Sequence, residues 1–324
     1  MLTYDKYTID STGAFLIGEL ERLDQTLHEP LFNVTWTRDI DLREDVSIAD
    51  EVSSFTNSSF ATPGTPNSTG KNWIGKASNA IAGPSLDIGK TSSPLYLWGI
   101  EISYTIPELL SAQQMGRPVD AQKYAAMQIK YQMDIDEMVY IGDDTLGKYG
   151  LVNSTSVTAS SVATGALGTT AWTTKTADEI LEDVNSLIQT AWEAAAYAVC
   201  PSKILLPPAQ FAYITSQKVS TAGNVSILTF LEDNSIALKI NGKKLDIQPC
   251  KWLTGRGTPA GSPSAATDRM VAYTQDKNRV RYPLVPLQRT PLEYRSIYHL
   301  TTYFGRLGVL EIVYPDTLYY ADGI

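Results

Sequence analysis

The sequence predicts an α+β fold: long helices set among antiparallel strands, with two stretches too polar to carry a core of their own. Three observations carry that expectation. From Tyr96 to Thr105, large β-formers alternate strictly with small or polar residues, the period of a half-buried strand. Thr105/Glu108 and Thr176/Glu179 each form a T-x-x-E capping box at the point where helical periodicity begins. Between Val52 and Pro94 the chain is dominated by Ser, Thr, Asn, Gly and Pro, with only scattered large apolar residues.

The chain has 324 residues, 43% of them hydrophobic, enough for a substantial core. No run of about 18 apolar residues exists, so no membrane-spanning helix is expected. The opening Met-Leu-Thr-Tyr-Asp-Lys-Tyr leads no basic stretch into an apolar one, so no secretory signal is expected either. The five Asn-x-Ser/Thr sequons, at Asn33, Asn57, Asn67, Asn153 and Asn224, then follow from composition alone. Cys200 and Cys250 stand at no metal-like spacing. Two buried thiols are the expectation, a disulfide between them the alternative. The formal net charge is −9, from 26 basic and 35 acidic residues. Gripping phosphates calls for a basic face, so nucleic-acid binding is not the primary role expected.

Residues 13–26 place Phe15, Leu16, Leu20 and Leu23 on one face of a short helix that Pro30 terminates. Val34, Trp36, Ile40 and Leu42 then read as a strand. The polar stretch from Val52 to Pro94 cannot bury enough of its own surface to offset the cost of ordering it, and reads as a long loop. After the Tyr96–Thr105 strand, the first capping box opens a helix that Gly116 and Pro118 interrupt. It resumes at Asp120, with Tyr124, Met127, Tyr131, Ile135 and Met138 at three- and four-residue spacing, runs roughly 30 Å, and closes at Gly142. A glycine-punctuated turn region, Gly142 to Asn153, leads to a second small-residue tract at 154–176, read as a surface loop or hairpin. The second capping box opens a helix bearing Ile180, Val184, Leu187, Ile188, Ala191, Ala195 and Val199, ended by Cys200-Pro201. Lys203–Leu206 reads as a short buried strand, and Pro207-Pro208 as the start of another helix. SIALKI and KKLDIQPC flank Asn241-Gly242, the pattern of a β-hairpin. Residues 255–267 read as a flexible loop, and 270–273, 297–304 and 309–314 as strands, the last two joined across Gly305–Gly308.

Catalytic constellations are sparse. Tyr140-Ile141-Gly142-Asp143-Asp144 resembles the metal-binding turn of viral RNA polymerases, which makes a metal-dependent nucleotidyl transferase using Asp143 and Asp144 one reading. The residues before it are helical in pattern, and no partner acidic strand precedes it, so a solvated helix-end turn is favoured. GTPNSTGK, residues 64–71, separates its glycines by one residue too many for a phosphate loop. His28 and His299 are the only histidines, and no nucleophile elbow or Cys/His cluster occurs. No enzyme activity and no cofactor are expected.

The order of these elements resembles the shell fold shared by the major capsid proteins of tailed bacteriophages and the encapsulins. The likeness rests on an arm, a long coreless loop returning on an aromatic strand, and a long helix. It is closest around Ile106-Pro107-Glu108-Leu109, Gly116-Arg117-Pro118-Val119-Asp120, Lys123 and Gly142, continues through Tyr149–Asn153 and SKILLPPAQFAYI, and ends at Phe304–Val309, Tyr314-Pro315 and Ala321–Ile324. It implies an N-terminal arm (1–38), an extended loop (39–95), a peripheral domain with a spine helix (96–176), an axial domain (177–270) and a return to the peripheral domain (271–324), with a C-terminal hairpin. Thr105, Glu108, Gly116, Asp120 and Gly142 would then be caps and turns of the spine helix.

The resemblance also implies a function. The chain would self-assemble as hexamers and pentamers into an icosahedral shell enclosing, without sequence-specific contact, a phage genome. An encapsulin-type compartment is the alternative. Leu2, Tyr4 and Tyr7 on the arm, and Lys71, Trp73, Ile74, Lys76, Leu86 and Lys90 on the loop, are the expected intersubunit residues, since a coreless loop is stable when it lies on a neighbour. No built-in scaffolding segment is expected, so a separate scaffolding protein is implied, with portal and decoration proteins as further partners. The product would be made in the host bacterial cytoplasm and reside in the virion. Relatives that weld their shells join Lys to Asn, but no acceptor is identifiable here.

Overall fold

The computed structural model describes residues 32–61, 85–114, 119–220, 223–257 and 267–324. The chain divides into two compact units, Met1–Asn33 and Val34–Ile324, and the elements that follow all belong to the second. The expected helix at 13–26 lies outside the described residues.

In chain order the elements are a one-turn helix α1 (Trp36–Asp39), strands β1 (Asp41–Arg43), β2 (Val52–Ala61), β3 (Ser85–Pro94) and β4 (Tyr96–Thr105), and helices α2 (Ile106–Gln114) and α3 (Val119–Tyr140). Short strands β5 (Gly142–Asp143), β6 (Lys148–Tyr149) and β7 (Thr158–Ser161) precede helix α4 (Ala177–Ala194) and strand β8 (Lys203–Leu206). Helices α5 (Pro208–Ser216), α6 (Ile227–Asn234) and α7 (Ile236–Asn241) lead to β9 (Asp246–Pro249) and β10 (Arg269–Tyr273). The chain closes through β11 (Val280–Arg289), β12 (Glu293–Arg295), β13 (Tyr298–Leu307), β14 (Glu311–Ile312) and β15 (Leu318–Asp322).

Two larger sheets organise these elements. In the six-stranded sheet, β13 pairs antiparallel with β4 along its whole length and with β11 and β12 on its other edge, while β11 also holds β1 and β14. The five-stranded sheet runs β7-β15-β10-β8-β9. Its middle strands β15, β10 and β8 are buried at every position, so both of their faces are covered and they do not alternate between polar and apolar residues. Alternation still sorts their side chains into two cores. Leu205, Val271, Tyr273 and Tyr320 face Tyr131, Ile135, Met138 and Val139 of α3. Ile204, Leu206, Met270, Ala272 and Tyr319 face Ile180, Val184, Leu187 and Ile188 of α4. The sheet recruits residues 158–161 and 318–322 from outside 177–270.

Both capping boxes are present. Thr105 Oγ1 accepts the Glu108 N–H at 3.2 Å and Glu108 Oε2 the Thr105 N–H at 3.4 Å. Lys123 reaches back from α3 to Glu108 at 2.7 Å and to the Ser103 carbonyl at 2.9 Å, fixing the angle between the two helices and β4. At α4 the N–H groups of Thr176 and Ala166 hold the Glu179 carboxyl below its ordinary value of 4.5. Because the folded value is the lower one, this support is complete above the unfolded value and disappears as pH falls through the folded one. Thermal unfolding followed from neutral pH to well below 4.5 is expected to lose stability less steeply in Glu179→Gln than in the native chain.

Gly142 sits where the spine helix turns back. Its φ of +83° lies in the left-handed region, and a Cβ there would meet the Lys148 carbonyl oxygen at 2.2 Å. Cys200 and Cys250 are buried and unpaired, and burial pushes the Cys250 thiol up to about 12, so it stays protonated.

Several expectations fail for tertiary reasons. Trp36 opens a helical turn instead of a strand, because Asp136 of α3 accepts the Thr35 and Trp36 N–H groups at 2.9 and 3.2 Å. The Val52–Pro94 loop begins and ends as a ribbon: β2 and β3 pair antiparallel over ten residues each. The 154–176 tract forms no hairpin; its strand β7 joins β15 in parallel. Helix α4 stops at Ala194, before Cys200, where Ala196 and Tyr197 adopt φ of +51° and +61° and the Trp192 indole donates to the Tyr197 carbonyl at 2.9 Å. SIALKI is the helix α7, capped by Ser235 at one end and by left-handed Gly242 at the other, and β9 pairs with β8 in parallel. The C-terminal hairpin is absent: Gly305 lies inside β13, and β14 pairs with β11, an unexpected strand holding Pro283 and Pro286. Of the 255–267 loop, the described ends meet in a Gly257–Thr267 bridge.

Candidate assembly surface

The ribbon β2–β3 is the feature of the described residues that lacks a second layer. Every side chain of β3 from Ser85 to Ser92 is exposed. Leu86 and Ile88 are 56% and 63% exposed, Val52 at the root 54%, and Leu97 just beyond it 69%. The many Ser residues at the other positions supply no buried face. A two-stranded ribbon on its own is marginal in water, so its natural complement is another surface.

Its root is clamped. Glu311 on β14 is fully buried and accepts Arg43 Nη1 at 3.2 Å, Arg281 Nε at 2.7 Å and the Ser53 hydroxyl. Arg43 also donates to the Ser54 carbonyl at 3.1 Å and pairs with Asp45 at 2.6 Å, which holds the Asp45 carboxyl below the ordinary carboxylate range. Arg306 of β13 donates to the carbonyls of Ile48 and Leu95 at 2.8 and 3.1 Å. Gly308 lets Pro283 and Leu95 close in: a Cβ there would lie 2.4 Å from the Pro283 ring. The ribbon therefore leaves a rigid base on the six-stranded sheet.

A second clamp joins the start of the unit to α3 and to the five-stranded sheet. Asp39, fully buried, receives Arg38 at 2.7 Å, Lys203 at 3.1 Å and the Tyr140 hydroxyl, while Tyr273 donates to its carbonyl at 2.7 Å. Burial beside Asp39 raises the Tyr140 phenol far above its ordinary value.

Of the sequence-predicted intersubunit residues, Leu86 and Lys90 are placed on the exposed ribbon, paired across it with Phe60 and Thr56. Leu2, Tyr4, Tyr7, Lys71, Trp73, Ile74 and Lys76 lie outside the described residues, as does Gly116. Asp120 falls in the first turn of α3. Sequence reasoning missed Glu311, Arg43, Arg281 and Ile88. A charged residue inside an apolar run, as Glu311 is in VLEIV, was the available signal.

Asp143 and Asp144 form no metal centre. Asp143 accepts the Thr145 N–H and hydroxyl at 2.8 and 2.5 Å, an ordinary turn, and no group of three metal-ligating residues exists among the described residues. No described helix is long and apolar enough to cross a membrane.

Comparison with known proteins agrees with this geometry. The family model described as major capsid protein matches residues 70–324. No curated protein matches. Among solved structures, the capsid of Myoviridae phage XM1 is similar at TM-score 0.74 and 16% identity, covering 95% of this chain and 98% of that one. Mycobacterium phage Ogopogo gives 0.55 and 11%, covering 96% and 98%. The virus-like particle from Pyrococcus furiosus gives 0.51 and 12%, covering 98% and 100%. At these identities the likeness is one of fold.

Proposed function

The chain belongs to the major capsid protein family, and from that premise we propose how this bacteriophage shell subunit builds its shell. It is a structural protein of the virion that acts by contact with copies of itself. In our reading the copies gather as hexamers and pentamers that close an icosahedral lattice around the genome. Such closure needs heterologous contacts repeated by rotation, each weak but collectively strong. The observation that carries this reading is the clamped, two-faced ribbon with Leu86 and Ile88 in solvent. Apolar side chains on an arm with a rigid base gain from burial against a neighbour without reorganising the body.

Residues 1–38 then serve as the arm, 39–95 as the extended loop, 96–176 and 271–324 as the peripheral part, and 177–270 as the axial part that converges at the capsomer centre. Leu2, Tyr4, Tyr7, Lys71, Trp73, Ile74, Lys76, Leu86 and Lys90 are the contact residues of arm and loop. The acidic balance, −9 overall, suits an inner wall to which packaged DNA does not adhere. A separate scaffolding protein, a portal and decoration proteins complete the assembly, and synthesis takes place in the bacterial cytoplasm. The subunit carries out no chemistry of its own in this role.

Negative-stain microscopy of the expressed chain is the direct test. Uniform closed particles are expected. A compact monomer that stays monomeric at high concentration contradicts the reading.

A further inference from the structure

At the far end of the spine helix lies a groove of about 510 Å³ with an unusual lining. Leu97, 69% exposed, and Leu146, 41% exposed, form apolar walls, and the rim carries Asp134, Glu137, Asp143 and Asp144 with no basic residue among the lining side chains. Two of these carboxylates are committed locally. Asp134 pairs with Lys130 at 2.5 Å and accepts the Trp98 indole at 2.9 Å, and Asp143 caps its own turn. Glu137 and Asp144 face solvent, and no lysine or arginine among the described residues pairs with either. An apolar floor with two uncompensated carboxylates fits a short segment that offers aromatic or aliphatic side chains between two cations.

Residues 71–76 offer such a segment within an acid-free stretch. Residues 62–84 hold no acidic residue, and within them Lys71-Asn-Trp-Ile-Gly-Lys76 sets Trp73 and Ile74 between two lysines. We propose that this groove is the receptor for residues 71–76 of a second copy of the chain, with Lys71 and Lys76 facing Glu137 and Asp144 and Trp73 or Ile74 covering Leu97 and Leu146. The inference rests on the shell reading above and names the surface that receives the loop.

Chain reach favours a second copy over the same one. The groove begins at Tyr96, two residues past the ribbon's root, while each ribbon strand of ten residues carries the chain about 30 Å away. Residue 71 comes ten positions after Ala61, a span of about 35 Å at full extension, and residue 76 comes nine before Ser85. A copy's own segment could return to its groove only with both flanks pulled straight along the ribbon. A neighbour's segment needs no such stretching.

Two measurements on the full-length chain test this. First, particle yield is compared for the native chain, Glu137→Lys/Asp144→Lys, Lys71→Glu/Lys76→Glu, and the combined fourfold variant. Each pair is expected to lower yield by about tenfold or more through like-charge contacts, and the combination to restore it. Native yield from the groove pair, or no recovery in the fourfold variant, overturns the proposal. Second, native particles assembled from equal amounts of ¹⁴N- and ¹⁵N-labelled chain are treated with a zero-length carbodiimide and mapped by mass spectrometry. Amide links joining Lys71 or Lys76 of one label to Glu137 or Asp144 of the other are expected. Links confined to single-label pairs, or none from either lysine to the groove, overturn it. Native particles that form normally while these results fail leave the shell role standing and remove only the groove; a native chain that forms no particles removes both.

Discussion

Deleting residues 55–92 and closing the gap with a short Gly-Ser linker is expected to leave a folded subunit that forms no shells. Among the described residues, neither core contains one from this span: the spine-helix core draws its buried side chains from Trp36, Ile40 and residues from Tyr131 onward, and the α4 core begins at Val162. The cooperative unfolding transition of the body should therefore survive nearly unchanged. What disappears is the surface offered to a neighbour. Leu86 and Ile88 alone represent about 3–6 kcal/mol of apolar burial per copy when fully covered, and a lattice multiplies that loss over every subunit. Circular dichroism and urea unfolding would report the retained body, and electron microscopy the missing particles. Ordinary shells from the deletion variant would strip the ribbon of its assembly role.

The second large effect is expected at the ribbon's root. Glu311→Ala should destabilise the subunit by about 3–5 kcal/mol, the typical cost of removing one partner from a buried charge network. Glu311 is wholly inaccessible, and Arg43 and Arg281 are only 15% and 19% exposed, so water cannot fully replace the lost carboxylate. Ser53 loses its acceptor as well. Glu311→Gln, which keeps the shape and some hydrogen bonds, should cost less. The ordering can be read from urea midpoints at constant m. A loss under about 1 kcal/mol in the alanine variant would mean that the clamp is a surface contact in energetic terms. Because the same clamp aims the ribbon, assembly by Glu311→Gln should weaken even where the body remains folded.

The capping boxes and the long helical periodicity are signals confined to a few neighbouring residues, and the structure bears them out. Thr105/Glu108 and Thr176/Glu179 are caps because the groups that satisfy each other lie three residues apart. Met127, Tyr131, Ile135 and Met138 are buried on one face of α3 because helical spacing alone lines them up. Tyr124, on the same periodicity, is 41% exposed and packs its ring against Tyr303 instead. The interrupted helix pair was legible, but the reason for its geometry, Lys123 bridging Glu108 and Ser103, was not.

Short apolar runs were ambiguous where the partner was remote. SIALKI can serve as a strand or a helix, and Asn-Gly can turn a hairpin or end a helix; a serine cap and a buried Ala237 decided for the helix. Pro283 and Pro286 argued against a strand, yet β11 accommodates them where its register with β13 shifts between Val285 and Gln288. Of the candidate assembly surface, the exposed loop was legible as a stretch without a core, while its ribbon pairing and its clamp were not.

By itself, then, the amino-acid sequence determined the long helices with their two capping boxes, the aromatic strand at 96–105, the pair of buried thiols and the presence of a long segment unable to bury itself. Those properties depend on composition and on neighbours within one or two turns. Only the tertiary structure decided that Val52–Ala61 and Ser85–Pro94 form one ribbon, that Asp136 caps a turn a hundred residues earlier, and that Glu311 anchors the ribbon's base. The physical reason is the same in each case: the hydrogen-bond or ionic partner lies far away in the chain, and its energy is realised only when folding brings the two together.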